Sequence, residues 1–170
     1  MDLTANQAAL TALAEQLGAA LLARGLSLSL AESCTGGLCA EILTRVPGSS
    51  AWFDCAIVSY SNAAKIKLLH VPSDTINSKG AVSEATALAL AKGALAISGS
   101  HLSAAVTGIA GPGGGTGAKP VGTVCFAWVG QNQAPISTTA HFTGSRQEIR
   151  QQSAKTLIEG LIALTLRLDL

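Results

Sequence analysis

Leu26-Ser27-Leu28-Ser29-Leu30-Ala31-Glu32-Ser33-Cys34-Thr35-Gly36-Gly37-Leu38 is the stretch whose reading decides the fold. Leucines alternate from Leu26 to Leu30 with the period of a strand, and an apolar helical pattern runs from Leu38 to Val46. Ser33 therefore stands where a strand ends and a helix begins, with Gly36 and Gly37 to let the turn close. Such a turn exposes a hydroxyl beside unpaired backbone N–H groups at a helix start. The arrangement suits a nucleophile, an anion site, or an ordinary Ser/Thr cap followed by a glycine turn.

Outward from this point the chain alternates helices and strands. Thr4-x-x-Gln7 is a capping box, and Leu10, Leu13, Leu17, Ala20 and Leu21 keep helical spacing until Gly25. Trp52 to Tyr60 reads as the second strand, and Ser61-Asn62 caps a short helix, Ala63 to Leu69, which Val71-Pro72 ends. Ser83 caps an alanine-rich helix reaching Ile97, and Leu102 to Thr107 is the third strand. Val121 to Val129 and Ile136 to Thr143 form a hairpin, the second strand turning Ile136, Thr138, Ala140 and Phe142 to one half-buried face. Ser145-x-x-Glu148 opens a last helix, Arg146 to Leu168. The expected fold class is α/β. It is a single domain over residues 1–170, a three-layer α/β/α sandwich on a mixed, mostly parallel sheet with a C-terminal antiparallel hairpin.

Composition excludes several functions. Of 170 residues, 48% are hydrophobic, 12% charged and 4% aromatic, so the core is built from Ala, Leu, Val and Ile. So little charge predicts that some apolar surface, notably Leu157 to Leu170, meets another copy in a homodimer or higher homo-oligomer. The net charge is +1 with no dense basic run, which argues against nucleic acid as a partner. No apolar run reaches the ~20 residues needed to span a bilayer, so no membrane partner is expected. Cys34, Cys39, Cys55 and Cys125 show no C-x-x-C pair or zinc spacing and read as buried free thiols in a reducing cytoplasm. Cys34 alone neighbours a helix start that can lower its pKa. Met1-Asp2-Leu3-Thr4 does not open a signal peptide, and a cytoplasmic location follows.

The loop Gly108 to Pro120 is the second candidate site. It lacks a Gly-Lys-Ser/Thr triplet and leads into a strand, so it is neither a P-loop nor a dinucleotide fingerprint. Its glycines either present N–H groups to a phosphate or make a flexible connection. Thr107 stands at the carboxyl end of its strand, where ligands gather in open α/β sheets. A serine nucleophile needs a base, and His70, His101 and His141 all lie in structural or exposed contexts. A lysine serves instead if burial lowers its pKa from about 10.4 to about 7–8, at a cost of about 4 kcal/mol. Lys65 is the best-placed lysine, unless it simply lies on a solvated face beside Lys67. Arg146, at a helix start, is either a phosphate clamp or a surface arginine.

Six ordered strings carry a resemblance: AESCTGG (Ala31–Gly37), PGSSAWF (Pro47–Phe53), VSYSNAAK (Val58–Lys65), GAVS (Gly80–Ser83), VTGIAGPGGGTGAKPVGTV (Val106–Val124) and FTGSR (Phe142–Arg146). Together they resemble the carboxyl-terminal domain of competence/damage-inducible protein A, from about residue 8 to residue 168. The amino-terminal domain of longer family members is absent, so the stand-alone form is expected. The resemblance implies hydrolysis of nicotinamide mononucleotide to nicotinic acid mononucleotide and ammonia, with no metal or other cofactor. On matching positions it implies Ser33 as nucleophile with Lys65, assisted by Tyr60. It implies substrate contacts for Ser50, Thr107 and Arg146. Joined to the turn's chemistry, it makes the backbone of Thr35, Gly36 and Gly37 the oxyanion holders and sets the phosphate on Arg146 and the loop beginning at Gly108. A non-catalytic nucleotide-sensing or protein-interaction module, and an enzyme acting on another amide, are the competing readings.

Overall fold

The computed structural model of the chain describes residues 3–167. The elements run α1 (Leu3–Leu22), β1 (Leu28–Glu32), α2 (Leu38–Thr44), a 3₁₀ turn (Ser49–Ala51), β2 (Phe53–Val58), α3 (Asn62–Leu69), α4 (Ser73–Lys79) and α5 (Glu84–Ser98). There follow β3 (Leu102–Gly108), β4 (Thr123–Gly130), β5 (Ile136–His141) and α6 (Arg146–Arg167). The sheet order is β2-β1-β3-β4-β5. β2, β1 and β3 pair in parallel, while β4 is antiparallel to both β3 and β5. Every strand except β4 therefore runs the same way, as a mixed, mostly parallel sheet requires.

Side-chain alternation along the central strands builds two cores. Leu28 and Leu30 of β1, Leu102, Ala104 and Val106 of β3, and Val124 and Phe126 of β4 face α1, α2 and α6. Ala31, Ala105, Cys125, Ala127 and Val129 face the other layer, where Leu69, Ile76, Leu90, Ala91 and Ala94 cover them. Helices on both faces of one sheet make the expected three-layer sandwich. From β1 the chain passes to β2 on one side and later returns to β3 on the other. The carboxyl ends of β1 and β3 thus flank a topological switch point, where open α/β sheets leave a crevice.

Several details differ from the sequence reading. α1 already includes Leu3, and the side-chain exchange expected of the Thr4–Gln7 box lies outside the described residues, as does Leu168. α4 was not expected; it follows Pro72 and buries only Ile76, too little to show as periodicity. β5 keeps the expected half-buried face only at its far end, where Ala140 and Phe142 pack on the core, while Ile136 is 37% exposed because the strand is a sheet edge. Its other face is tied by polar bonds, Ser137 and Thr139 donating to the Glu84 carboxylate at 2.7 and 2.9 Å. The last turns of α6 are largely covered within the chain, although Leu166 stays 56% exposed. Leu157, Ile158 and Leu161 are 0% exposed within the chain's own core against α1 and the sheet. Cys34, Cys39 and Cys125 are buried free thiols as expected, whereas Cys55 is partly exposed. Among the described residues no helix is long and apolar enough to cross a membrane.

Gly93 of α5 packs directly on the backbone of Leu69 at the end of α3; a Cβ there would collide with the Leu69 carbonyl oxygen. Gly93→Ala is expected to cost about 1–3 kcal/mol, because backbone cannot yield as a side chain does. Thermal unfolding would show this as a midpoint lowered by several degrees.

Candidate active site

β1 continues past Glu32 by one bond, Ser33 N–H to the Val106 carbonyl at 3.0 Å, and then turns. Gly36 and Gly37 take φ of 59° and 94°, the left-handed region that a side chain would strain, and α2 starts at once. The turn leaves Ser33 at the carboxyl end of β1, 7% exposed.

Lys65 reaches the same place from a different element. Parallel pairing sets the end of β2 beside the end of β1, where the Ser59 amide donates to the Glu32 carbonyl at 2.8 Å. Ser61 then caps α3, its hydroxyl accepting from the Ala64 amide at 3.0 Å. One turn of helix carries the Lys65 side chain back under the strand ends, 1% exposed. Its Nζ lies 2.9 Å from Ser33 Oγ, 2.7 Å from the Ser59 carbonyl and 3.3 Å from the Tyr60 carbonyl. Neither ion pair among the described residues involves Lys65. Burial lowers its pKa from the ordinary 10.5, only partly offset by the Cys34 thiol.

Thr107 and Gly108, at the end of β3, complete the floor, Thr107 Oγ1 donating to the Ala81 carbonyl at 2.8 Å. Arg146 closes the mouth: its Nη1 donates to the Gly111 carbonyl and its Nη2 to the Tyr60 hydroxyl, both at 2.8 Å. The cavity so formed holds about 260 Å³ and is lined by Ser33, Cys34, Tyr60, Lys65, Thr107, Gly108 and Arg146 among others. A wider groove of about 530 Å³ shares Arg146 but runs between Gln7, Glu41, Arg45 and Arg150, with no serine, cysteine or lysine in its lining.

Ser33, Lys65, Tyr60, Thr107, Gly108 and Arg146 are thus brought together, and four other expected residues are not. Gly36 N–H bonds the Ser33 carbonyl at 3.1 Å, and Gly37 N–H bonds the Glu32 carboxylate at 2.9 Å. The Thr35 hydroxyl also donates to Glu32, at 2.7 Å. None of the three lines the cavity. Ser50 sits in the exposed 3₁₀ turn that enters β2, at the opposite end of the sheet. The Cys34 thiol is not activated by the helix start: burial pushes it up to about 12. Glu32 escaped the sequence reading, although it is the one charged residue between Leu26 and Cys39. Arg150, whose Nε donates to the Thr35 carbonyl at 3.2 Å, left no such signal.

Residues 10–165 match the CinA C-terminal domain family. The chain belongs to this family. This CinA C-terminal domain is 46% identical over 155 residues to a nicotinamide-nucleotide amidohydrolase PncC of Pseudomonas putida, covering 91% of this chain and 96% of that one. It is 42% identical over 149 residues to the PncC of Escherichia coli, covering 88% and 90%. A longer CinA-like protein of Geotalea uraniireducens is 56% identical over 126 residues, 74% of this chain, which accounts for 30% of its length. The crystal structure of a competence/damage-inducible protein of Agrobacterium tumefaciens has the same fold at a TM-score of 0.89 and 44% identity, covering 91% and 94%.

The buried lysine gives this CinA domain a characteristic pH response. Between the folded-state value and 10.5 the unfolded chain binds more protons at Lys65, so this residue's contribution to stability rises with pH. The raised thiols Cys34, Cys39 and Cys125 act oppositely, losing stability as pH climbs above 9.0. Comparison with Lys65→Met isolates the lysine. The unfolding free energy of the unaltered chain minus that of the variant is expected to increase as pH rises toward 10.5, by denaturant titration.

Proposed function

We propose that this chain is an amidohydrolase converting nicotinamide mononucleotide to nicotinic acid mononucleotide and ammonia, as a single domain of that kind over residues 1–170. The observation that carries the reading is the buried Lys65 Nζ at 2.9 Å from Ser33 Oγ, with no carboxylate paired to it among the described residues. The names of the Pseudomonas and Escherichia relatives supply the substrate class.

A neutral amine has two hydrogens and one lone pair. The carbonyls of Ser59 and Tyr60 accept the two hydrogens, which turns the lone pair toward the Ser33 hydroxyl. In the proposed sequence Lys65 takes the Ser33 proton as Oγ bonds to the carboxamide carbon. The oxyanion then leans on backbone N–H at the turn, and Cys34, next to the nucleophile and lining the cavity, is the residue placed for it. Protonated Lys65 delivers its proton as the C–N bond breaks and ammonia departs. Water repeats the sequence on the acyl-enzyme: Lys65 takes its proton, hydroxide adds to the carbonyl, and Ser33 leaves with the proton restored. The Arg146 guanidinium receives the substrate phosphate at the cavity mouth, and Tyr60 acts through that arginine rather than on the transferred proton.

A module that only bound nucleotides would have no use for a desolvated amine beside a hydroxyl. The homo-oligomer forms part of the proposal, supported by exposed Val58, Ile66 and Leu68 at the β2–α3 side. So does cytoplasmic residence, supported by four free cysteines.

Ser33→Ala is expected to reduce ammonia release by at least about 10³-fold with the fold retained, by coupled ammonia assay and circular dichroism. Retained turnover would remove Ser33 as nucleophile. Arg146→Ala should raise KM for the mononucleotide about 10- to 100-fold, the scale of one lost charge-assisted contact, and leave the riboside nearly unaffected. Equal effects on both substrates would exclude a phosphate clamp.

A further inference from the structure

Glu32 is fully buried and takes no part in the steps above, yet it immediately precedes the nucleophile. Its Oε2 accepts from the Thr35 hydroxyl at 2.7 Å, the Gly37 amide at 2.9 Å and the Cys39 amide at 3.2 Å. Its Oε1 accepts from the Ala40 amide at 2.8 Å. Four donors from one turn and the following helix thus converge on a single carboxylate that has no ion-pair partner among the described residues. Gly37, which precedes α2, has no side chain to cap it, so Glu32 supplies the cap from the neighbouring strand.

The backbone of Glu32 is fixed as firmly as its side chain. Its carbonyl accepts from the Ser59 amide at 2.8 Å, and the Ser59 carbonyl in turn accepts from Lys65. One residue therefore joins the strand end that holds the amine to the turn that holds the hydroxyl. Arg150 braces the turn from outside through the Thr35 carbonyl. The Glu32 oxygens are engaged by the Thr35 hydroxyl and the turn and helix amides and do not line the cavity, so this residue is not itself an acid or base of the reaction.

The geometry points to Glu32 as the positioning residue of the nucleophile: its carboxylate gathers the four donors of the Ser33 turn and so sets Ser33 Oγ against Lys65 Nζ. The assignment rests on Ser33 as nucleophile, and it adds a group whose charge serves geometry rather than chemistry. A neutral amide in its place would turn an NH2 group toward donors, and no carboxylate at all would leave buried N–H groups unpaired.

The test uses Glu32→Ala and Glu32→Gln, each with and without added sodium acetate. Readouts are ammonia release from nicotinamide mononucleotide and the rate of Ser33 phosphonylation by a fluorophosphonate. Both variants are expected to lose at least about tenfold in kcat with KM within about threefold of the unaltered chain. Acetate, filling the space among the four donors, should return at least about tenfold of the phosphonylation rate and kcat to Glu32→Ala. It should do nothing for Glu32→Gln or the unaltered chain. If acetate raises the thermal midpoint of Glu32→Ala without restoring either rate, the carboxylate is only structural and the inference fails. Full activity in either variant overturns it equally. Should Glu32→Ala not fold, Glu32→Gln decides by its split between kcat and KM. An unaltered chain that is phosphonylated but releases no ammonia would refute the proposed substrate and leave the Glu32 inference to the phosphonylation rates. One that shows neither reaction would remove both.

Discussion

A lysine amine enclosed with no ion-pair partner among the described residues is the constraint on which the rest of this structure depends. A buried ammonium is costly, so burial lowers the pKa of this amine, and its hydrogens must be satisfied from backbone. Ser59 and Tyr60 carbonyls do this, and they are available because β2 stops at Val58 and leaves its ladder there. α3 must begin at once for Lys65 to return beneath those carbonyls. The Ser61 cap makes that possible, with the Lys65 amide bonding the Ser61 carbonyl at 3.0 Å. The β1–β2 register then brings Ser33 to the same spot.

Charge around the cavity is sorted by depth. Behind the deep wall lies Glu32, whose carboxylate is spent on backbone and a hydroxyl of the neighbouring turn and helix. The Cys34 thiol, pushed up to about 12, stays protonated beside the nucleophile and does not compete with it. At the mouth stands Arg146, held by Gly111 and Tyr60 rather than by an acid, so its charge remains available to an anion. The α2 start, the conventional resting place for an anion in such a fold, is already capped by Glu32. In the proposed reaction the phosphate accordingly goes to an arginine from the far end of the chain.

Legibility in the sequence followed the range of each interaction. The Ser61, Ser83 and Ser145–Glu148 caps are all present, because a cap is decided within three or four residues. α6 illustrates the opposite case. Its apolar residues on more than one face suggest a partner chain, yet α1 and the sheet of the same chain cover Leu157, Ile158 and Leu161, leaving Leu166 exposed. The amides of Gly36 and Gly37 illustrate a third. A turn of that composition exposes donors in isolation, yet the Ser33 carbonyl takes the Gly36 amide and the Glu32 side chain, reaching past its own strand end, takes that of Gly37.

By itself the sequence determined the alternation of strands and helices, the turn that presents Ser33, and the short capped helix that bears Lys65. Period and capping are local, and each is written into consecutive residues. Tertiary structure alone decided which hydroxyl meets which amine, a contact across 32 residues, and which arginine meets Tyr60, across 86. It also decided that Lys65 loses its water, and hence which way its proton affinity moves. The reason is physical: desolvation and hydrogen-bond distance belong to groups that share a space, and that sharing arises only when the parallel strands are laid side by side.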